Sequence, residues 1–339
     1  MNFNRKSTFT GLGAVLLAGM SLAVGAGTAG AAVSPAITGS GSTLVAPLIT
    51  EWNNQLGGGI TYGGGGSGKG LTDISAGTVD FGGTDAPMTA DQKSKCSGCV
   101  TIPISLTAVT ISYTVPGVSS GLKLTPAIVN LIYKGGITKW NDPKITKINK
   151  GKSLPDLAIT PIHRLDGSGT TYAFADWLAR SKTSWAKSPG VGTLLNWSVG
   201  PGASGNGGVA NALKTNGAIG YVGIDYAIPN KLTVAALSNA AGKYVLPSQK
   251  SIRAGAGWIK KVPSSNILHP ANPPKSVKNG YPATAYSYVI MRKGSPKAAG
   301  LKQMVNFALG KGLGLRQDIG FAPLPKNVAA AGKKTAKKL

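Results

Sequence analysis

The chain has 339 residues, of which 42% are hydrophobic, and this length is enough for two lobes or domains of about 100–200 residues each. Two cysteines are too few for a disulfide scaffold, and the lack of a second long apolar run excludes a multi-span membrane protein. The net charge of +25 comes from 36 basic residues against only 11 acidic ones. Because the basic residues are scattered singly, without interleaved aromatic residues, a nucleic-acid partner is disfavoured.

The first 31 residues have the three zones of a secretory signal peptide. Arg5 and Lys6 form a positively charged start, residues 12–24 form a short apolar stretch, and residues 29–31 (AGA) form a cleavage site. No cysteine lies near this site to carry a lipid. We therefore expect an exported protein of the periplasm, the extracellular space or the cell envelope, without a lipid anchor.

Periodicity and turn residues predict alternating helices and strands in chain order. The first part contains predicted helices at 43–56 and 71–77, strands at 59–62 and 79–82, and a long strand at 101–115. The second part contains predicted helices at 125–135, around 174–178, at 206–216 and at 297–309, and strands at 157–163, 218–222 and 284–291. The two long strands, at 101–115 and 284–291, could each cross between two lobes. The alternation of helices and strands predicts an α/β protein. The lysine-rich end at 331–339 predicts a disordered basic tail.

Cys96 and Cys99 form a Cys-Ser-Gly-Cys segment surrounded by turn residues. An exported protein meets oxidising conditions, so a small structural disulfide is the favoured reading. A zinc site would need two more ligands, and His163 and His269 are distant in sequence and show no paired spacing. A redox-active pair is less favoured, because such a pair opens a helix after a strand.

Three loops rich in glycine and hydroxyl residues each lie between a predicted strand and a predicted helix. They are residues 39–44 (GSGSTL), 64–68 (GGGSG) and 166–170 (DGSGT). Such a loop offers backbone N–H groups, a hydroxyl and the positive end of a helix dipole to an anion. Arg164, two residues before the third loop, adds charge-assisted donors in the geometry that an oxyanion needs. The three loops together predict an anion-binding site.

Two other chemistries fit these loops less well. The second loop and Lys69 imitate a nucleotide P-loop, but Gly70 stands where Ser or Thr should hold magnesium. Ser168, His163 and Asp166 have the residue types of a hydrolase triad. However, Asp166 replaces the first glycine of the nucleophile elbow, and three nearly adjacent residues do not reach triad geometry.

Seven segments together resemble the exported phosphate-binding proteins of phosphate ABC transporters, in the periplasmic-binding-protein superfamily. They are GSGST (39–43), YGGGGSGKG (62–70), VDFGGTDAP (79–87), ITKWND (137–142), RLDGSGT (164–170), GAIGYV (217–222) and FAPLP (321–325). The resemblance implies a two-lobed periplasmic-binding-protein fold (type II-like). Each lobe would be a mixed sheet flanked by helices, and two strands would cross over. We expect lobe one at 32–106 and 284–330, and lobe two at 107–283.

The resemblance also implies a set of phosphate-binding residues. These are Thr43, Leu44 through its backbone, Ser67, Asp85, Arg164, Ser168, Gly169 and Thr170. Asp166 would steady Arg164, and Asp85 would accept the proton that hydrogen phosphate carries. Leu44 departs from the family pattern, since an aromatic residue is common there.

We therefore expect a protein that captures phosphate and delivers it to the permease and ATPase subunits of an ABC transporter. It would act as a monomer, without catalysis, cofactor, metal or nucleic acid. The alternatives are a binding protein for another tetrahedral oxyanion and a secreted phosphatase. The sequence disfavours the phosphatase because it lacks a cluster of metal ligands.

Overall fold

The structure, a computed structural model, describes residues 31–339 of the chain. The predicted signal peptide at 1–31 lies outside the described residues, apart from Ala31. In lobe one, the first elements in chain order are β1 (Ile37–Gly41), α1 (Ala46–Gln55), β2 (Ile60–Gly65), α2 (Gly66–Ala76), β3 (Phe81–Thr84), α3 (Ala90–Lys95) and β4 (Cys99–Tyr113).

The next elements build the second half of the fold. They are β5 (Lys123–Leu124), α4 (Pro126–Tyr133), α5 (Pro143–Ile148), β6 (Thr160–Arg164), α6 (Gly169–Arg180), β7 (Gly202–Ala203), α7 (Gly205–Ala212), β8 (Ala218–Gly223), α8 (Ile224–Ala227), β9 (Thr233–Val234), β10 (Ala236–Ser238), β11 (Tyr244–Val245) and α9 (Gln249–Ala256). The chain ends with β12 (Thr284–Arg292), α10 (Ala298–Ala308) and α11 (Lys326–Ala336). This alternation confirms the predicted α/β class.

One nine-stranded sheet runs through both lobes in the order β2-β1-β3-β12-β4-β8-β6-β7, with β9 paired to β4. β1 is parallel to β2 and β3, and β6 is parallel to β8, whereas β12 is antiparallel to β3 and β4. A smaller sheet has the order β11-β10-β5. The sheet is therefore mixed, with parallel strands on both sides of its centre.

The long strand β4 carries the chain from one lobe to the other. Its residues 99–108 pair with β12, and its residues 109–113 pair with β8. β12 then brings the chain back to the first side of the sheet, where it pairs with β3. The change of partner at Ala108 and Val109 falls next to the expected division at 106 and 107, and we call the two sides lobe one and lobe two.

Several elements of lobe one have other bounds than the sequence predicts, and two of these differences concern the predicted site residues. α2 begins at Gly66, five residues before the predicted start, so Ser67 lies in the first turn of a helix. The glycines there hid the helical pattern, since glycine has low helix propensity. β3 ends at Thr84, and Asp85 therefore follows the strand directly.

Cys96 and Cys99 are joined by a disulfide between α3 and β4. The sulfur of Cys96 lies in a small apolar cluster with Leu71, Ile74 and Ile290. The bond therefore closes a short loop between α3 and β4.

A cluster of aromatic rings fills the core of lobe two beneath β6. The ring of Tyr221 stacks on that of Phe174 at 4.4 Å between centroids, and the His163 ring stacks on that of Trp197 at 4.8 Å. These residues are buried or nearly so, and large buried aromatic residues dominate core stability. The cluster gives β6 and the start of α6 a rigid support.

The predicted disordered tail at 331–339 is wrong, because α11 continues to Ala336. Val328, Gly332 and Thr335 of this helix are buried, and the amide of Asn266 donates to the Thr335 hydroxyl at 2.9 Å. The lysines of this segment hid a stripe of small buried residues at helical spacing. No helix between residues 31 and 339 combines the length and the apolarity needed to cross a membrane.

We predict that Val328→Ala lowers the free energy of unfolding by about 2 kcal/mol, because it removes two buried methyl groups and leaves a cavity. Lys333→Ala, on the exposed side of the same helix, should change stability by less than about 0.5 kcal/mol. Urea unfolding monitored by tryptophan fluorescence gives both values. Equal values for the two variants would contradict the packing of α11.

Candidate anion-binding site

Four loops meet between the lobes, and each follows the carboxyl end of a strand. Three follow β1, β2 and β3 of lobe one, and the fourth follows β6 of lobe two. Helices α2 and α6 begin at or within a few residues of two of these strand ends. Ligands of α/β proteins bind at the carboxyl edge of parallel strands, and helix amino ends favour anions there.

Arg164, the last residue of β6, is the charged centre of the site. Its side chain is 1% exposed, and its backbone N–H donates to the Tyr221 hydroxyl at 2.9 Å. Its guanidinium donates from Nε to Asp166 Oδ1 at 2.7 Å and from Nη2 to Asp166 Oδ2. Nη1 lies 3.4 Å from the Thr170 hydroxyl. These contacts fix the plane of the guanidinium without using all of its N–H donors.

Asp166 holds Arg164 from the edge of the site, where its side chain is 19% exposed. The carboxylate also accepts from the Gly205 N–H at 2.9 Å. Burial opposes ionisation of this carboxyl, but the hydrogen bonds and charge of Arg164 outweigh burial and hold the pKa of Asp166 below its ordinary value. Asp166 is therefore ionised at neutral pH, and the buried cation has a charged partner.

Asp85 is the buried carboxyl of lobe one and faces the same space. The Ser287 hydroxyl donates to Oδ1 at 2.5 Å, and the Ser42 hydroxyl donates to Oδ2 at 2.5 Å. The Ser67 hydroxyl lies 3.4 Å from Oδ2 and accepts from the Asp85 backbone N–H at 3.2 Å. Burial raises the pKa of Asp85, although the hydroxyl donors and the charge of Arg164 act in the opposite direction. Asp85 therefore holds or shares a proton more readily than an exposed aspartate.

Gly169 begins α6 and lies directly against lobe one. A Cβ atom there would lie 2.4 Å from Asp85 Oδ2 and 2.4 Å from Ser67 Oγ, so no larger residue fits. The preceding residue, Ser168, caps α6, because its hydroxyl accepts from the Thr171 N–H at 3.1 Å. The N–H groups of Gly169 and Thr170 thus lack acceptors inside the helix, at the end of α6 that lies beside Asp85 and Ser67.

The glycine loop before Ser67 brings the two lobes into backbone contact. The Gly68 N–H donates to the Gly167 carbonyl at 2.7 Å. Gly66 has a φ of +88°, and a Cβ atom there would lie 2.3 Å from Asp166 Oδ2. Glycine is therefore required on both sides for the lobes to approach this closely.

Thr43 joins the first loop to lobe two. Its hydroxyl accepts from Asn206 Nδ2 at 2.9 Å, and the Tyr226 hydroxyl donates to its carbonyl at 3.1 Å. Asn206 is fully buried, and its Nδ2 also lies 3.1 Å from the Thr170 hydroxyl. Its Oδ1 accepts from the Gly223 N–H at 3.0 Å. One amide thus ties three segments of the site together.

The structure brings the residues predicted for the site to this one place. They are Thr43, Leu44, Ser67, Asp85, Arg164, Asp166, Ser168, Gly169 and Thr170. Two of them have local partners: the Leu44 N–H lies 3.1 Å from the Ser42 hydroxyl, and the Ser168 hydroxyl caps α6. Their roles as ligands stay predictions.

Sequence reasoning missed three polar residues that complete the site. Ser42 lies inside the first predicted loop, and Asn206 lies at the start of a predicted helix. The position of each residue in the sequence therefore indicated only weakly that it belongs to the site. Ser287 lies in the middle of β12, where nothing in the sequence marks it. All three became visible only through their hydrogen bonds to Asp85 or Thr43.

The arrangement suits a small oxyanion. One buried cation, several hydroxyls and the amino end of a helix lie close together, and donors of this kind bind oxygen anions. Within residues 31–339 no three His, Cys, Asp or Glu side chains are grouped so as to hold a metal ion. The described residues therefore offer donors to an anion rather than ligands to a metal.

Comparison with known proteins finds a matching family model and similar proteins. Residues 26–311 match the family model described as a PBP superfamily domain. The chain is similar to the phosphate-binding protein PstS of Xylella fastidiosa (strain 9a5c), with 34% identity over 304 residues, 86% of this chain and 82% of that protein. It is also similar to PstS of Haemophilus influenzae, with 33% identity over 319 residues, 91% of this chain and 94% of that protein.

The solved structures show the same fold. A high-affinity periplasmic phosphate-binding protein, PfluDING, bound with phosphate, superimposes with a TM-score of 0.71 and 20% sequence identity. The superposition covers 88% of this chain and 93% of that chain. The predicted two-lobed fold and the resemblance drawn from the sequence segments are confirmed.

We predict that Asn206→Ala lowers the free energy of unfolding by about 1–3 kcal/mol, because the buried Gly223 N–H and the Thr43 hydroxyl lose their partner. Asn211→Ala is the matched control, since Asn211 is exposed on the same helix α7. Chemical denaturation of both variants measures the difference. If Asn206→Ala is as stable as Asn211→Ala, the amide does not connect the lobes.

Proposed function

Because this chain belongs to the PstS family of phosphate-binding proteins within the PBP superfamily, we propose that it binds inorganic phosphate between its lobes and delivers it to an ABC transporter for uptake. The observation that carries the proposal is the buried Arg164, which is held by Asp166, lies beside the Thr170 hydroxyl and is near enough for its charge to act on Asp85. A buried cation of this kind is stabilised further when an anion completes its hydrogen bonds.

We assign the phosphate contacts to both lobes. Lobe one supplies the Thr43 hydroxyl, the backbone N–H of Leu44 and the Ser67 hydroxyl. Lobe two supplies the Arg164 guanidinium together with the donors at the start of α6, which are those of Ser168, Gly169 and Thr170. Donors from two lobes hold one anion only when the lobes close around it, so binding stabilises the closed form.

Asp85 is the residue that we propose distinguishes phosphate from sulfate. Its oxygens accept from Ser287, Ser42 and Ser67, and a carboxylate has about four acceptor positions. One position therefore remains for a proton carried by the ligand. Hydrogen phosphate has such a proton, whereas sulfate would place lone pairs against lone pairs in a space of low dielectric constant. The raised pKa of Asp85, caused first by burial, means that one proton is readily shared between carboxyl and ligand.

The remaining parts of the proposal concern the setting of the protein. We infer that it is exported, acts as a monomer, and passes phosphate to permease and ATPase subunits in the membrane. We also infer that it catalyses no reaction. The similar proteins named above are described as phosphate-binding proteins, which supports transport rather than catalysis.

Arg164→Ala should weaken phosphate binding by about tenfold to 150-fold for each hydrogen bond lost, since bonds to charged groups are worth about 1.5–3 kcal/mol. Arg180→Ala is the control of the same residue type, because Arg180 lies at the far end of α6 and pairs with Asp176. Isothermal titration calorimetry on ligand-stripped protein measures both. An unchanged affinity in Arg164→Ala would remove Arg164 from the site.

Asp85→Asn should lower the ratio of phosphate affinity to sulfate affinity. The amide removes the repulsion of sulfate and supplies an N–H donor, so sulfate binding improves while phosphate binding weakens modestly. Asp91→Asn, which changes an exposed carboxyl of the same lobe, should leave the ratio unchanged. Titrations of both anions at one pH and salt concentration measure this ratio. If the ratio in Asp85→Asn equals that of the unsubstituted protein, the Asp85 carboxyl does not select the ligand.

The phosphatase alternative makes a different prediction from the binding proposal. A phosphatase would release an aryl alcohol from an aryl phosphate ester, whereas the proposed binding protein would not. The test is incubation with such an ester, with and without added divalent metal. Release of the alcohol that is lost in Arg164→Ala would establish a hydrolase, and no release agrees with transport.

A further inference from the structure

Asp225 is a buried carboxyl that the proposed phosphate site does not use. It lies in α8, directly after β8, and its side chain is 2% exposed. Neither of its oxygens accepts a hydrogen bond from another residue in the described part of the chain. A buried ionised carboxylate without donors is strongly disfavoured, so this carboxyl is neutral in the structure.

The burial of Asp225 depends on lobe one. The neighbouring Tyr226 donates its hydroxyl to the Thr43 carbonyl at 3.1 Å. A Cβ atom on Gly223 would lie 2.3 Å from Asp225 Oδ1 and 3.2 Å from Leu44 Cγ, so the carboxyl and the Leu44 side chain flank the same spot. Ile224 packs against Gly320, which follows β12 in the chain. Separation of the lobes removes the Thr43 and Leu44 contacts and admits water to this carboxyl.

The charged groups around Asp225 do not reverse the effect of burial. Burial is the main cause of a pKa of Asp225 well above its ordinary value, and the charge of Asp85 raises it further. The charge of Arg316, in the segment before Gly320, lowers the pKa of Asp225. The Arg316 side chain donates its hydrogen bond to Asp318 and not to Asp225. On its own helix the titratable neighbour is Tyr226, whose pKa is itself raised to about 12, first by burial and then by Asp225.

We propose that Asp225 is ionised when the lobes are apart and takes up a proton when they close, so that phosphate capture is coupled to proton uptake. The inference rests on the proposed function, because phosphate is the ligand that closes the lobes. The closed form then binds more protons than the open form, and a rise in pH favours the open form. Phosphate affinity therefore falls by up to about tenfold per pH unit beyond the change that the titration of phosphate itself produces.

The test counts the protons taken up per phosphate bound. Calorimetric titrations of ligand-stripped protein at pH 7 in buffers of different ionisation enthalpy give this number directly. Asp225→Asn and Asp225→Leu, neither of which can titrate, should each take up about one proton fewer than the unsubstituted protein. Asp156→Asn, which changes an exposed carboxyl of lobe two, should match the unsubstituted protein. Equal proton numbers in all four proteins would overturn the coupling.

A second measurement does not require the Asp225 variants to fold. The infrared difference spectrum of Asp85→Asn, recorded on addition of phosphate, should gain the carbonyl band of a newly protonated carboxyl, because Asp85 cannot contribute to it. Absence of that band while phosphate binds would also overturn the coupling. If the unsubstituted protein takes up no phosphate in calorimetry, the proposed function fails instead, and the two failures are therefore distinct.

Discussion

The pairing of Arg164 with Asp166 is the interaction on which the rest of the site depends. A guanidinium that is 1% exposed is stable only beside an opposite charge, and Asp166 supplies that charge while leaving donors for a ligand. The backbone of Arg164 is fixed by Tyr221, which belongs to the aromatic core of lobe two. The anion site is therefore an extension of a rigid core rather than a feature of mobile loops.

Close approach of the two lobes is the second constraint, and it explains the glycines at the contact between them. At Gly66 and Gly169 the carboxylates of the opposite lobe leave no room for a Cβ atom, and at Gly68 and Gly167 a Cβ atom would lie only 3.0 Å from the opposite backbone. The same approach surrounds the carboxyls in the cleft with different neighbours. Arg164 keeps Asp166 ionised, Asp85 accepts hydrogen bonds from three serine hydroxyls, and Asp225 has no donor from another residue of the described chain. In a chain with only 11 acidic residues, three of them lie at this interface.

Local patterns in the sequence predicted most of the fold and most of the site. The two crossing strands were readable because long β-branched runs have few other interpretations, and the loops around Ser67 and Ser168 combined glycine with hydroxyl residues. What escaped prediction depends on contacts between distant segments. Ser287 is one hydroxyl inside a buried strand, and its role is set by Asp85 more than two hundred residues away in the chain. The helix α11 escaped because its lysines outweighed its small buried residues.

The proposed function requires that the closed lobes hold a single phosphate through the buried arginine. Native mass spectrometry of ligand-stripped protein in a metal-free volatile buffer, with phosphate added to one sample and an equal amount of sulfate to a second sample, tests this most directly. We predict one added mass per chain in the phosphate sample and no comparable adduct in the sulfate sample. A chain that gains neither anion, or that gains sulfate as readily as phosphate, would contradict it.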